Sequence, residues 1–267
     1  MFKETIRKTL TSLVLALTLA VPLSRADAPT VAKKYLDNSY CLRVSAVVED
    51  NRESKGIPLT CGTTFVIRSG FETFFATNRH VVESAVDIEK GVPQGTTLEK
   101  ILYSIGDSFQ DMNFNDDIKL ELIGVSKDYD VAILRTRNLI RQDIPAIGKP
   151  KSVGLPLYSV GYPFGFTKVL EEGILSTLDI PSPLFKNAYW ASLDTINGMS
   201  GAPVYMKQDD NYFLLGMIGG GTTTGIYSMV VPAKQIYDLL DETLKDRQAA
   251  KKNVAEILGD SYPYILK

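Results

Sequence analysis

Residues 61–82 read Cys61-Gly62-Thr63-Thr64-Phe65-Val66-Ile67, then a turn, then Phe74-Phe75-Ala76-Thr77-Asn78-Arg79-His80-Val81-Val82. Each half is a short run rich in β-branched and aromatic residues, the composition of a strand. His80 is the only histidine in the 267-residue chain. A lone histidine is more often structural than chemical. This one directly follows a β run, at a strand end, where a rigid scaffold presents side chains to a cleft.

The same texture extends on both sides. Cys41–Val48, Thr63–Arg68, Thr73–Thr77, Lys119–Val125, Val131–Arg135, Tyr158–Val160, Phe213–Ile218 and Tyr227–Val231 are strand-like runs broken by Gly, Pro, Asn and Asp. Short strands without alternating helices indicate an antiparallel all-β fold of sandwich or barrel type. Arg137–Lys151, with two prolines and several charges, divides this region and reads as a linker between subdomains or a long loop within one domain. After Pro232 the period changes. Ile236, Leu239, Leu240 and Leu244 recur at helical spacing, so a helix is expected to pack on the second β unit.

The first residues differ from all of this. Lys3, Arg7 and Lys8 precede an apolar run of 14 residues, Leu10 to Leu23, and small residues follow at Ser24-Arg25-Ala26 and Ala26-Asp27-Ala28. Residues 1–28 read as a secretory signal peptide cut after Ala26 or Ala28, with Pro29 disfavouring the second site. The run is shorter than the about 20 apolar residues that span a bilayer. The mature protein is therefore expected to be exported, periplasmic or secreted, with no stable membrane insertion once the signal is removed.

With a net charge of −2 and no basic stripe interleaved with aromatics, no nucleic-acid partner is expected. One histidine and two cysteines, Cys41 and Cys61, leave no His/Cys set for zinc, so neither metal nor cofactor is expected. Export would permit a Cys41–Cys61 disulfide, but the sequence does not show geometry suited to one.

Two further segments bear on His80. In Asp128-Tyr129-Asp130-Val131-Ala132-Ile133-Leu134, Asp130 opens an apolar strand, which puts its carboxylate at the edge of a buried region. In Asn197-Gly198-Met199-Ser200-Gly201-Ala202-Pro203-Val204, glycines flank a serine and allow a tight turn with exposed N–H groups. Either alone is an ordinary turn. Together with His80 they meet a chemical requirement. A serine hydroxyl needs a base to take its proton, the imidazole needs a carboxylate to fix its tautomer, and charge developing on a substrate oxygen needs pre-aimed donors. Chain order then discriminates among folds. No histidine follows Ser200, which excludes the α/β-hydrolase order, and His80, Asp130, Ser200 is the chymotrypsin order.

At this level of detail the chain resembles the trypsin-like peptidases, especially the HtrA/Deg branch. Gly62–Val82 is similar to that branch's Gly-small-Gly-Phe and Thr-Asn-x-His-Val-Val segment, and Asp130–Leu134 to its Asp-Leu-Ala-Val-Leu strand. Val160-Gly161-Tyr162-Pro163-Phe164-Gly165, Gly173-Ile174-Leu175-Ser176, the serine loop and Leu215-Gly216-Met217-Ile218 follow in family order over about residues 40–242. The resemblance implies two six-stranded antiparallel β-barrels and a C-terminal helix. The barrels would span about 38–140 and 150–232 of a domain at 29–245, with 246–267 a helical tail. It implies a serine endopeptidase acting on protein or peptide substrates through His80, Asp130 and Ser200, with an acyl-enzyme intermediate. The N–H groups of Gly198 and Ser200 would form the oxyanion hole. Gly219 and Gly220 would lie near the strand that pairs with substrate backbone, although a plain loop is an equal reading. The alternative is a catalytically silent trypsin-fold binding protein.

Departures from the family pattern are informative. Some 25 residues follow the last matched helix, too few for a PDZ module. Arg79 replaces a small residue, Ala202 replaces a glycine, and the serine loop is one residue short. Asp194, six residues before Ser200, falls at trypsin's pocket aspartate by counting, which would favour Lys or Arg. By motif it is instead a common upstream aspartate without a pocket role, which favours small or aliphatic residues. Met199 stands where digestive enzymes carry the aspartate that pairs with a new N-terminus, so no activation cut is expected.

Overall fold

The computed structural model of the protein describes residues 35–50, 53–83, 97–106, 108–109, 117–178, 187–222 and 227–245. The expected signal segment 1–28 and the tail 246–267 lie outside the described residues.

The first β unit comprises β1 (Ser39–Asp50), β2 (Glu53–Ser69), β3 (Thr73–Thr77), a short helix α1 (Arg79–Glu83), β4 (Thr97–Gly106), β5 (Ile118–Val125) and β6 (Ala132–Thr136). Its strands close into a barrel in the order β1-β2-β3-β6-β5-β4. β7 (Pro156–Gly161), β8 (Val169–Thr177), β9 (Tyr189–Ala191), β10 (Pro203–Gln208), β11 (Asn211–Gly221) and β12 (Ser228–Pro232) close a second, in the order β10-β11-β12-β9-β8-β7. All these pairings are antiparallel, and helix α2 (Ala233–Lys245) follows. This is the expected pair of six-stranded barrels. Residues 137–155 lead from β6 to β7, and so from one barrel to the other.

The period of two explains which side chains go where. Along β1, Leu42, Val44, Ala46 and Val48 pack in the first barrel's core with Phe75 and Leu134, while Arg43 and Ser45 alternate to the other side. The unbroken apolar run at β6 has a different cause: both of its faces are buried. Ala132 and Leu134 belong to that first core. Val131 and Ile133 belong to a second cluster, which joins Phe65 and Ile67 of the first barrel to Tyr158, Tyr205 and Met217 of the second. A third cluster, including Leu157, Met199 and Ile218, fills the second barrel.

Helix α2 departs from expectation. Ile236, Leu239 and Leu240 pack in the shared inter-barrel cluster and not on the second barrel alone. The Tyr237 hydroxyl donates to the Ile67 carbonyl of β2 at 2.8 Å. A Cβ at Gly124 of β5 would lie 2.4 Å from Thr243 Oγ1, so the helix presses on the first barrel too. The physical reason is that the cluster between the barrels needs cover, and one amphipathic face reaches both.

The cysteines are free thiols. Cys41 faces Thr63 across the β1–β2 pair and Cys61 faces Arg43, so the two cysteines are diagonal neighbours and not opposite.

Candidate active site

The chain leaves β3 at Thr77 and turns into α1, so His80 sits on one short helical turn and not at the strand end itself. Val81 and Val82 anchor that turn in the first barrel's core. Gly62 lies against Val81, and a Cβ there would be 2.8 Å from Val81 Cγ1. The imidazole is left 48% exposed, within reach of a substrate.

Asp130 comes from the loop before β6. Ser126 shapes this loop, its Oγ accepting from the N–H groups of Asp128 (3.3 Å) and Tyr129 (3.1 Å). Asn78 Nδ2 donates to the Asp130 carbonyl at 3.0 Å. Arg79, the departure from the family pattern, links both segments: Nε donates to Glu83 at 2.6 Å and Nη1 to the Ser126 carbonyl at 3.3 Å.

The Asp130 carboxylate grips His80 twice. Oδ1 accepts the main-chain N–H of His80 at 2.9 Å, and Oδ2 lies 2.8 Å from its Nδ1. An ionised carboxylate can only accept, so a neutral imidazole paired with it in this geometry would carry its proton on Nδ1 and leave Nε2 as the acceptor. That is the tautomer a general base requires.

The serine turn is built by close approach. Gly198 and Gly201 have φ of +96° and +86°, which a side chain would strain. Thr63, buried on β2 of the other barrel, holds the turn through both its backbone and its side chain. Its N–H donates to the Ser200 carbonyl at 2.8 Å and its hydroxyl to the Gly198 carbonyl at 2.8 Å. The same hydroxyl accepts the Tyr162 N–H at 3.0 Å.

Peptide planarity then aims the remaining donors, because C=O and N–H of a trans peptide point oppositely. The Asn197 carbonyl accepts from Phe164 N–H at 2.6 Å, which turns the Gly198 N–H the other way. The Met199 carbonyl accepts from Ala202 N–H at 2.9 Å, which does the same for the Ser200 N–H. Among the described residues, neither Gly198 N–H nor Ser200 N–H donates to another backbone group. Two free, oriented donors flanking a serine form an anion-binding concavity suited to a developing oxyanion.

His80, Gly198 and Ser200 line one cleft of about 380 Å³ together with Leu59, Cys61 and Phe164. The other expected site residues lie elsewhere. Gly219 and Gly220 belong to β11, so the plain-loop reading falls, and neither lines this cleft. Gly219 instead lies beside Val231 and Asn78. Asp194 is exposed between β9 and β10, and it also stays out of the cleft. Burial, and then the nearby Asp194 charge, raise the Glu171 carboxyl above its usual range. Thr63, Asn78 and the Tyr162–Phe164 turn carry the geometry without having been singled out for it from the sequence.

The trypsin-like peptidase domain profile matches residues 62–217, more than half of the chain. The chain belongs to that family. No curated protein matches it in sequence. Among solved structures, this trypsin-like peptidase is similar to Deg5 (19% identity, TM-score 0.56, covering 82% of this chain and 94% of that one). It is similar to the active form of the Rv3671c protease from M. tuberculosis (18% identity, TM-score 0.56, 83% and 86% covered). An HtrA-type protease, AlgW with tripeptide, aligns at 14% identity and TM-score 0.59, covering 82% of this chain and 64% of that one. At these identities the likeness shows a shared fold.

Among the described residues, no group of three or more His, Cys, Asp or Glu side chains is placed to hold a metal ion. Nor is any helix among them long and apolar enough to cross a membrane.

Proposed function

We propose that this trypsin-like peptidase is a serine endopeptidase in which Ser200 is the nucleophile, His80 the general base and Asp130 its orienting partner. The observation that carries the reading is the double Asp130–His80 contact, 2.9 Å and 2.8 Å, beside a cleft that Ser200 shares. His80 Nε2 takes the Ser200 proton as Oγ attacks the substrate carbonyl carbon. The new oxyanion is received by the N–H groups of Gly198 and Ser200. The protonated imidazole then gives its proton to the leaving amine, and water repeats the cycle to free the acyl-enzyme.

The same reading takes residues 1–28 as an export signal, so that the enzyme acts on proteins or peptides outside the cytoplasm. N-terminal sequencing of the mature protein should begin at Asp27 or Pro29. The catalytic reading is tested by Ser200→Ala. The loss of kcat on an unfolded protein substrate should be on the order of 10⁶, with an unchanged far-ultraviolet circular dichroism spectrum. Retention of a tenth of the wild-type rate would remove Ser200 from the mechanism.

A further inference from the structure

Three consecutive residues, Asn78, Arg79 and His80, each grip the Asp130 loop at a different point. Asn78 Nδ2 donates to the Asp130 carbonyl at 3.0 Å. His80 meets the Asp130 carboxylate through its main-chain N–H at 2.9 Å and its Nδ1 at 2.8 Å. Arg79 takes the other end of the loop, where its Nη1 lies 3.3 Å from the Ser126 carbonyl oxygen and 3.5 Å from that of Lys127. The loop is closed on itself. The Ser126 N–H donates to the Val131 carbonyl and the Val131 N–H to the Tyr129 carbonyl, each at 2.9 Å. Holding Ser126 therefore also constrains Asp130, which the same closed turn carries.

The chemistry of arginine suits this place. Its planar guanidinium carries five donors in one rigid fork, so one edge can be fixed while another binds. Here Nε donates to Glu83 Oε1 at 2.6 Å, one turn along α1, and that bond sets the plane in which Nη1 reaches the carbonyls. Helix α1 spans only five residues, too few to hold its own orientation without outside contacts. The two contacts to Ser126 and Lys127 are long, so their effect is to orient the loop and not to bind it tightly. Arg79 also stands where the family pattern has a small residue, so this clamp is a feature of this chain.

Resting on the triad reading above, we infer that Arg79 is a positioning residue of the active site: aimed by Glu83, it holds the Asp130 loop against α1 so that the carboxylate meets His80 at both contacts. The Asp130 bond restrains the ring and keeps its proton on Nδ1. Without the clamp the carboxylate and the imidazole spend time apart, and the base samples orientations from which Nε2 does not serve Ser200. Because Glu83 offsets the guanidinium charge, removing Arg79 acts on this geometry more than on the field at the imidazole.

The experiment uses the full, untagged mature protein labelled with nitrogen-15 at histidine, in which His80 is the only signal. At mildly alkaline pH the proton that Asp130 holds on Nδ1 should give a downfield proton–nitrogen correlation in the wild type. In Arg79→Ala that resonance should weaken through exchange with water. The kcat on a peptide substrate should fall roughly 10-fold with KM little changed, well short of the about 10⁴-fold that follows from losing the orienting carboxylate of such a triad. Arg79→Lys keeps the charge without the fork and should recover only part of the loss. Glu83→Ala, which leaves Arg79 in place but unaimed, should reproduce part of the loss, and Glu83→Gln, whose amide oxygen still accepts from Nε, should restore it. An unchanged resonance and an unchanged kcat in Arg79→Ala, even with a lower melting temperature, would overturn the positioning role alone and make Arg79 a brace for α1. A wild type that shows no proton held on Nδ1 and turns over no substrate would overturn the triad reading and the clamp with it.

Discussion

The main-chain N–H of Phe164 donates to the carbonyl of Asn197 at 2.6 Å, and this bond turns the next N–H, that of Gly198, the opposite way, beside the cleft that His80 and Ser200 line. Phe164 itself has φ of +53°, a costly conformation for a bulky residue. The turn that carries it, Pro163–Gly165, packs against Gly198. A Cβ at Gly198 would lie 2.3 Å from the Tyr162 carbonyl oxygen and 2.7 Å from Phe164 N.

Gly198→Ala should therefore cost activity through geometry. The substitution meets both a strained φ and backbone atoms that have little freedom to move. Loss of one oxyanion donor corresponds to about 10²–10³ in kcat. Steady-state kinetics on a peptide substrate should show this fall with KM little changed. A variant within three-fold of wild type, by the same assay, would mean that the Gly198 N–H is not an oxyanion donor.

Thr63→Val separates the hydroxyl from the shape of the side chain. Valine fills nearly the same volume but leaves the Gly198 carbonyl and the Tyr162 N–H without their shared partner. An unpaired buried polar group costs about 1–3 kcal/mol. Part of that should appear as a lower melting temperature and part as a lower kcat, because the bond lost orients the serine turn. Thr63→Ser should rescue both. Rescue of stability without rescue of kcat would show that Thr63 braces the barrels and leaves the turn alone.

The residues of the proposed triad were legible in the sequence because each stands beside a run that forms a strand: His80 after Thr73–Thr77, Asp130 before Val131–Leu134, Ser200 before Pro203 and Val204. Its supports were not. Thr63 matters because of which carbonyls of the other barrel it faces, a relation that only closure of both barrels creates. Four strands were likewise absent from the runs identified by composition. β4 and β8 interleave Glu and Lys or Gly with their apolar residues, β9 spans three residues, and β10 opens on Pro203. In each case neighbouring strands supply an order that local propensity does not. Helix α2 packs on the second barrel as its period suggests, but that it also covers the first was not legible, since the helical period reveals an apolar face and not that two barrels share it.

Alkaline pH should weaken the fold through Cys41. Burial, reinforced by the Cys61 thiol and partly offset by Arg43, pushes the Cys41 thiol up to about 12. An unfolded chain ionises this thiol near its ordinary value of about 8.5. The folded state thus holds the neutral form, and this contribution is complete below the unfolded value and lost as pH rises from there toward 12. Urea denaturation between pH 7 and 11 should show a steeper loss of stability for the wild type than for Cys41→Ala. Iodoacetamide should leave Cys41 unmodified in the native protein at pH 8 and alkylate it in denaturant. Identical pH dependence of the two proteins would remove Cys41 from the alkaline transition.

Labelling by a fluorophosphonate probe reports whether Ser200 is an activated nucleophile, because the reaction needs the serine, its base and the oxyanion donors at once. The folded, mature protein should take up one equivalent of probe, located by mass spectrometry on the peptide containing Ser200. Uptake should be lost in Ser200→Ala and slowed by orders of magnitude in His80→Ala. A folded protein that remains unlabelled, or that labels at the same rate without His80, would contradict the triad and leave a trypsin fold that binds without cutting.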